Sequence, residues 1–325
     1  MGGLSGSGPA GGRGAAMSDE VFMLWGCTGW IGGMLAKLSR EQGKKIVAAT
    51  SRLEDSVAMA AELDQHKPTR VLCAAGLTGR PNVDWCESNQ EATIRVNVCG
   101  TLALADACSA RGVHLTVFAT GCIYEYDGDH PIGGKGFTEQ CTPNYAGSFY
   151  SKTKIMVEEL LKSYRRVCIL RLRMPISNEL TERNFVTKIA RYHRVVNVPN
   201  SMSVLTDLLP LSLAMSAAAL EGIYNFTNPG AISHNEVLQI YKEEVDPTFH
   251  WENFSIEEQS KVLVAGRSNN FLDTSKLERV AEELGCRLPD IHTATREALI
   301  AARSSLEARG LYPSGLPQKL GPGNA

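Results

Sequence analysis

Tyr150-Ser-Lys-Thr-Lys154 sets a phenol and an ammonium four residues apart, a spacing that puts both side chains on one face of a helix. A phenol of pKa ~10 is a poor proton donor or acceptor near neutrality, and a neighbouring ammonium lowers that pKa by stabilising the phenolate. Alone, a Tyr-x-x-x-Lys string is usually a solvated helix surface. It gains meaning from Gly26-Cys-Thr28-Gly29-Trp30-Ile31-Gly32, whose GxxGxxG spacing allows a tight turn, close approach of backbone to a pyrophosphate and close helix contact, with the phosphates at the helix N-terminus. A third stretch, Ala119-Thr120-Gly121-Cys122-Ile123-Tyr124, places a hydroxyl and a thiol where an apolar run ends. Free cysteine is most often a buried apolar residue, so Cys122 needs context before it is given chemistry.

These residues need a scaffold that brings distant segments together. Short apolar runs VFMLW, KIVAA, RVLCAA, VHLTVF and VCILRLR read as strands, separated by helix-period stretches at about 30–42, 53–65, 87–111 and 149–164. Strand and helix in alternation predict an α/β fold, a Rossmann-type doubly wound parallel sheet with ligands at the carboxyl ends of the strands. The glycine loop follows the first strand, as dinucleotide binding requires. The second strand ends in Ala49-Thr50-Ser51-Arg52 with no acidic residue for a ribose 2′-hydroxyl, and Ser51 and Arg52 suit a 2′-phosphate, which favours NADPH. Ala75 and Gly76, after the third strand, are expected at the cofactor.

After about residue 175 the rhythm changes. Helices are expected near 182–193, 204–220, 233–244, 255–265 and 274–285, with a strand GIYNF between them. The expected organisation is a disordered extension or tag over 1–16, with Met17 a candidate start, and a dinucleotide-binding domain over 17–176 that also takes in 200–227. A smaller C-terminal substrate lobe spans 177–199 and 228–308, and 309–325 reads as a tail.

Of the 325 residues 43% are hydrophobic and 21% charged, with a net charge of −2, so no excess of positive charge awaits a nucleic acid. No apolar run is long enough to span a membrane. Nine cysteines without a CxxC pair or a His/Cys cluster predict free thiols in a reducing, cytoplasmic setting and no metal site.

The glycine loop, Thr120, Asn97 and Tyr150-x-x-x-Lys154 together resemble the extended short-chain dehydrogenase/reductases, a family that mostly acts on nucleotide sugars. The strings WGCTGWIGG, AAGLTGRPNVDWCE, ATGCIYEYD, GSFYSKTK, NFVTKIARY, VVNVPNSM and NFTNPGAISHNE look, within that family, like the epimerase/reductases of nucleotide-rhamnose synthesis. Cys27 departs from the resemblance, which leads one to expect a basic residue there. The likeness implies that Thr120 bonds the carbonyl being reduced, that Tyr150 gives the proton, and that Lys154 supports the tyrosine and the nicotinamide ribose.

Related dehydratases carry acidic residues at the two positions occupied here by Gly121 and Cys122, so dehydration is disfavoured. GDP-fucose synthase, another relative, has a cysteine in a similar string and pairs it with a histidine. The resemblance puts Lys188 of Asn184-Phe-Val-Thr-Lys188 in the histidine's place. A 4-keto group acidifies the hydrogens at C3 and C5, and a thiol of pKa ~8.5 is movable towards neutrality by nearby positive charge, so Cys122 and Lys188 are expected to be the acid/base pair of epimerisation. Arg80, Asn82, Asn184, Asn197, Asn200 and Arg267 are expected at the substrate, whereas His234 reads as helix-entry structure behind an N-cap at Ser233.

The expected activity is 3,5-epimerisation and 4-reduction of UDP- or dTDP-4-keto-6-deoxyglucose to the L-rhamnose nucleotide with NADPH. The alternatives are a 4-ketoreductase without epimerisation and a non-catalytic NADP-binding regulatory subunit. The expected partner is the nucleotide-sugar substrate, without nucleic acid or membrane, and a homodimer is left open.

Overall fold

The computed structural model describes residues 20–79 and 82–320; the expected extension over 1–16 and Arg80 lie outside them. Strands β1 (Val21–Trp25), β2 (Lys45–Ala48), β3 (Arg70–Cys73), β4 (His114–Thr120) and β5 (Val167–Leu172) form in chain order. A short β6 (Arg194–Val195), β7 (Gly222–Asn225) and a short β8 (Glu252–Asn253) follow. Six of them make one sheet in the order β2-β1-β3-β4-β5-β7, with every pair parallel. This is the doubly wound arrangement expected from the alternation. Its order reverses at β1, where a crevice opens at the strand ends.

Alternation of side chains along each strand divides the apolar residues between the two faces. Phe22 and Leu24 of β1, with Cys168, Leu170 and Leu172 of β5, pack under the helices Trp30–Glu41, Leu205–Ala217 and Ser275–Glu283. Met23 and Trp25, with Val167 and Ile169, pack under Ser56–His66, Thr101–Ala110 and Phe149–Leu161. Both faces being covered, the strands carry apolar residues towards both sides instead of a strict alternation of apolar and polar. A separate apolar cluster joins the helices Phe185–Arg191, His234–Glu244 and Ile291–Ala308 beside the β6–β8 pair.

Three expectations change. The helix expected over 87–111 is broken into Trp85–Ser88, Gln90–Ile94, a π-turn at Arg95–Gly100, and Thr101–Ala110. The helix expected over 255–265 is only Ile256–Ser260, begun by a Ser255–Glu258 capping box. The segment read as a tail is tied to the fold as far as residue 320: Tyr312 donates to the Val245 carbonyl (3.1 Å), Lys319 to that of Tyr192 (2.6 Å), and the Leu320 N–H to that of Arg191 (2.9 Å). Among the described residues no helix is long and apolar enough to cross a membrane.

Candidate active site

A cleft of about 510 Å³ opens at the carboxyl ends of the strands and is lined by the glycine loop, the segment after β3, the end of β4, the start of the helix Phe149–Leu161 and the helix Phe185–Arg191. Gly26 has φ +87°, and a Cβ there would lie 2.5 Å from the Ala75 nitrogen. A Cβ on Gly32 would meet the Gly26 carbonyl at 2.1 Å, so loop and helix approach as only glycines permit. Gly29 is the N-cap of Trp30–Glu41 and has no side chain to occupy the helix's free amides. Trp30 and Ile31 line the cleft, and the Trp30 indole N–H is buried without a partner. This glycine cradle and orphaned donor fit a dinucleotide. Cys27 only points its thiol at the Ala49 carbonyl (3.8 Å).

The π-turn has a local purpose. It carries buried Asn97, whose amide accepts from the Leu77 N–H and donates to the Leu77 carbonyl, both at 2.8 Å. The segment through Ala75 and Gly76, which lines the cleft, is thereby clamped from below. A π-turn at a functional wall is a recurrent use of that geometry.

Thr120 ends β4, and its hydroxyl oxygen accepts from the Cys122 N–H (3.1 Å). The Cys122 carbonyl accepts from Ser151 Oγ (2.6 Å), and Ser148 caps the same helix, so the thiol's backbone is fastened to the helix that carries Tyr150 and Lys154. Burial pushes the Tyr150 phenol well above its usual range, Cys122 adds to the effect, and the Thr120 hydroxyl offsets part of it. The expected lowering by Lys154 is therefore corrected. The ammonium lies 6.0 Å from the ring centroid, too weak an influence against desolvation, and burial lowers the pKa of Lys154 itself.

Arg173, absent from the expectations, holds the turn from behind. It is only 1% exposed and donates to the carbonyls of Gly121 (3.0 Å), Ser201 (3.3 Å) and Ser268 (3.0 Å), to Ser268 Oγ (2.8 Å) and to Asn200 Oδ1 (2.6 Å). Its stem also explains Gly121: a Cβ there would lie 3.0 Å from Arg173 Cγ and 2.6 Å from Leu272 Cδ1. An acidic residue would not fit.

Lys188 lines the same cleft, with Arg183, Tyr192 and Arg267. Burial lowers its pKa, and the cations Arg183 and Arg267 lower it further. Arg267 pairs with Asp84 (2.9 Å), and Asn82 accepts from the Asp84 N–H (2.8 Å); both Arg267 and Asn82 line the cleft.

Three other expected substrate contacts are corrected. Asn184 is fully buried as the N-cap of Phe185–Arg191, accepting from the Val186 N–H and donating to the Ser177 and Glu179 carbonyls. Asn200 is fully buried between Arg173, Asn269, Asn270 and Val198. Asn197 is exposed and does not line the cleft. His234 does line it, edge-on to Phe185, behind the Ser233 capping box; burial lowers its pKa to about 4, so the ring is neutral near pH 7.

At the end of β2 an acidic group arrives from a later helix. The Glu62 carboxylate accepts from the Thr50 N–H (3.0 Å), the Ser51 N–H (3.2 Å) and Ser51 Oγ (2.9 Å), and from the Thr50 hydroxyl. The expectation of no acidic residue there is corrected. Its signal was hidden because Glu62 lies 36 positions after Gly26 (62 − 26 = 36), whereas the acidic residue of such folds usually follows after about 20.

The chain as a whole is similar to known proteins. Residues 22–208 match the NAD dependent epimerase/dehydratase family. The chain is 57% identical over 274 residues to the bifunctional dTDP-4-dehydrorhamnose 3,5-epimerase/dTDP-4-dehydrorhamnose reductase of Arabidopsis thaliana, covering 84% of this chain and 91% of that protein. It is also 57% identical over 265 residues to a trifunctional UDP-glucose 4,6-dehydratase/UDP-4-keto-6-deoxy-D-glucose 3,5-epimerase/UDP-4-keto-L-rhamnose-reductase of the same plant, spanning 81% of this chain but 40% of that longer protein. The crystal structure of the UDP-rhamnose synthase from Acanthamoeba polyphaga mimivirus superposes with a TM-score of 0.81 at 38% identity, covering 86% of this chain and 99% of that one. The chain belongs to the NAD dependent epimerase/dehydratase family, and within it to the group of rhamnose-forming epimerase/reductases.

Proposed function

We propose that this chain is a bifunctional epimerase/reductase that converts UDP- or dTDP-4-keto-6-deoxyglucose to the corresponding L-rhamnose nucleotide with NADPH. The observation that carries this reading is the joint presence in one cleft of Thr120, Cys122, Tyr150 and Lys154 with Lys188. Gly26, Gly29, Gly32, Ala75 and Gly76 would hold the dinucleotide, which when bound supplies the hydride for C4. Within the same reading, residues 17–176 with 200–227 form the dinucleotide-binding domain, and 177–199 with 228–308 the substrate lobe; the separate apolar cluster of the latter supports that division. Nine free cysteines support a cytoplasmic setting.

Epimerisation comes first, because reduction removes the ketone that makes C3 and C5 acidic. Cys122 and Lys188 act from the two sides of the cleft, one removing a proton and the other returning it to the opposite face. Lys188 is suited to this by its lowered pKa, since an ordinary lysine gives up its proton too reluctantly. Thr120 then orients the C4 oxygen and Tyr150 donates the proton. The raised pKa of Tyr150 keeps the phenol protonated until an alkoxide develops beside it, and Lys154, in the same cleft, would hold the nicotinamide ribose. Of the expected substrate contacts, Arg267 and Asn82 line the cleft, and Arg80 lies outside the described residues.

The test is incubation with each 4-keto sugar nucleotide and NADPH in D2O, with products read by NMR. An L-rhamnose nucleotide carrying deuterium at C3 and C5 supports the reading. Reduction without deuterium uptake would establish a simple ketoreductase instead.

A further inference from the structure

We propose that Glu62 weakens the preference of this site for NADPH over NADH, because its carboxylate holds the donors at the end of β2 that a 2′-phosphate would need. The inference rests on the reading that a dinucleotide lies along the glycine loop. In sheets of this kind the end of the second strand meets the adenosine ribose, where an acceptor there bonds a 2′-hydroxyl and donors or cations bond a 2′-phosphate. Here that end is beside the loop: the Ala49 N–H donates to the Leu24 carbonyl (2.9 Å), and the Trp25 indole N–H donates to Ser51 Oγ (3.2 Å).

Two amides and two hydroxyls from Thr50 and Ser51 converge there as an anion cradle, and Glu62 fills it. Burial works to raise the carboxyl's pKa, but the bonds from Thr50 and Ser51 win and hold it below the usual range, so the group is an anion. No cation answers it: Arg52 is exposed and makes no bond to Glu62 among the described residues, and the residue after Gly26 is Cys27. A coenzyme bearing a 2′-phosphate has to move one anion off these donors to seat another. A coenzyme with a 2′-hydroxyl can leave Glu62 in place and donate to it. The carboxylate therefore opposes the preference that Thr50, Ser51 and Arg52 would otherwise give.

Equilibrium dissociation constants for NADPH and NADH, measured by calorimetry on the wild-type protein and on Glu62→Gln, test this without catalysis. Neutralising the carboxylate should shift the affinity ratio towards NADPH by about ten-fold, mainly by tightening NADPH. Glu62→Ala, which also removes the amide, should shift the ratio in the same direction. If Glu62 merely braces the loop, both coenzymes weaken together and the ratio stays within about three-fold of wild type, which overturns the inference, as does a shift towards NADH. Failure of the wild-type protein to bind either coenzyme would remove the dinucleotide reading and this inference together, an outcome distinct from binding with an unchanged ratio.

Discussion

The two sides of the cleft are built differently. The sheet side joins the end of β4 to the first turns of the helix Phe149–Leu161, and its parts fasten one another: Cys122 to Thr120, Ser151 to Cys122, Asn97 to Leu77. The rest of the lining takes Lys188 and Arg267 from segments far apart in the chain, with Arg267 held by its ion pair to Asp84 (2.9 Å). Both sides present a lysine with a lowered pKa, but by different means. Burial is the main cause for each; nearby Cys73 and Glu158 work against it at Lys154, whereas Arg183 and Arg267 reinforce it at Lys188. A group tuned by desolvation is fixed by the core, while one tuned by neighbouring charges can be adjusted from the surface.

If the sheet side serves reduction and the cleft as a whole epimerisation, single variants should separate the steps. Tyr150→Phe removes the proton donor, and NADPH oxidation should fall by about 10²–10⁴-fold while deuterium uptake from D2O continues. Normal turnover in a stopped-flow assay would refute the assignment. Cys122→Ala should do the reverse, abolishing uptake at C3, C5 or both with coenzyme affinity intact; wild-type exchange at both carbons would show that the thiol is ordinary filling.

Two arginines near the end of β5 extend the comparison into the core. Arg171 and Arg173 are two positions apart and both buried, yet Arg171 is paired bidentately with buried Glu158 (2.6 and 2.9 Å), while Arg173 bonds only neutral acceptors. Arg171 ties strand to helix, whereas Arg173 ties the Gly121 turn to the segment around Ser268. Glu158→Gln leaves the Arg171 charge buried without its counter-ion, and should cost about 3–5 kcal/mol of stability. Urea unfolding measures this, and a loss below about 1 kcal/mol would show that water or a rearranged partner reaches Arg171.

The sheet side was legible in the sequence because its signals are local. A strand, three glycines and a helix stand in one run, and Tyr150 and Lys154 share one helical turn. The parallel sheet covered on both faces followed from the alternation of strand and helix; its strand order came only with the structure. Asn184 and Asn200 misled because an asparagine that caps a helix or bridges loops has the same letters as one that binds a sugar; only their bonds distinguish the two. Arg173 and Glu62 were missed for the opposite reason. Each acts through partners outside its own element, Gly121 and Ser268 lying 52 and 95 positions from Arg173, Thr50 and Ser51 12 and 11 positions from Glu62, and no periodicity marks such meetings.

The smallest predicted effect gives the finest test of the contrast between the lysines. Arg183 is exposed, lines the cleft and is the first-ranked charge acting on Lys188 after burial. Replacing it by glutamine removes a like charge, so the protonated form of Lys188 becomes easier to keep and its pKa rises. If Lys188 supplies a proton during epimerisation, the high-pH limb of the deuterium-exchange profile marks the loss of that proton, and in Arg183→Gln the limb should move upward by a few tenths of a pH unit, up to about one. The pH profile of reduction, measured with a substrate already epimerised, should not move, because Tyr150 and Lys154 owe their pKa values chiefly to burial. Equal shifts in both profiles would mean that the two sides titrate as one network; no shift in either would mean that solvent screens Arg183 and that burial alone sets Lys188.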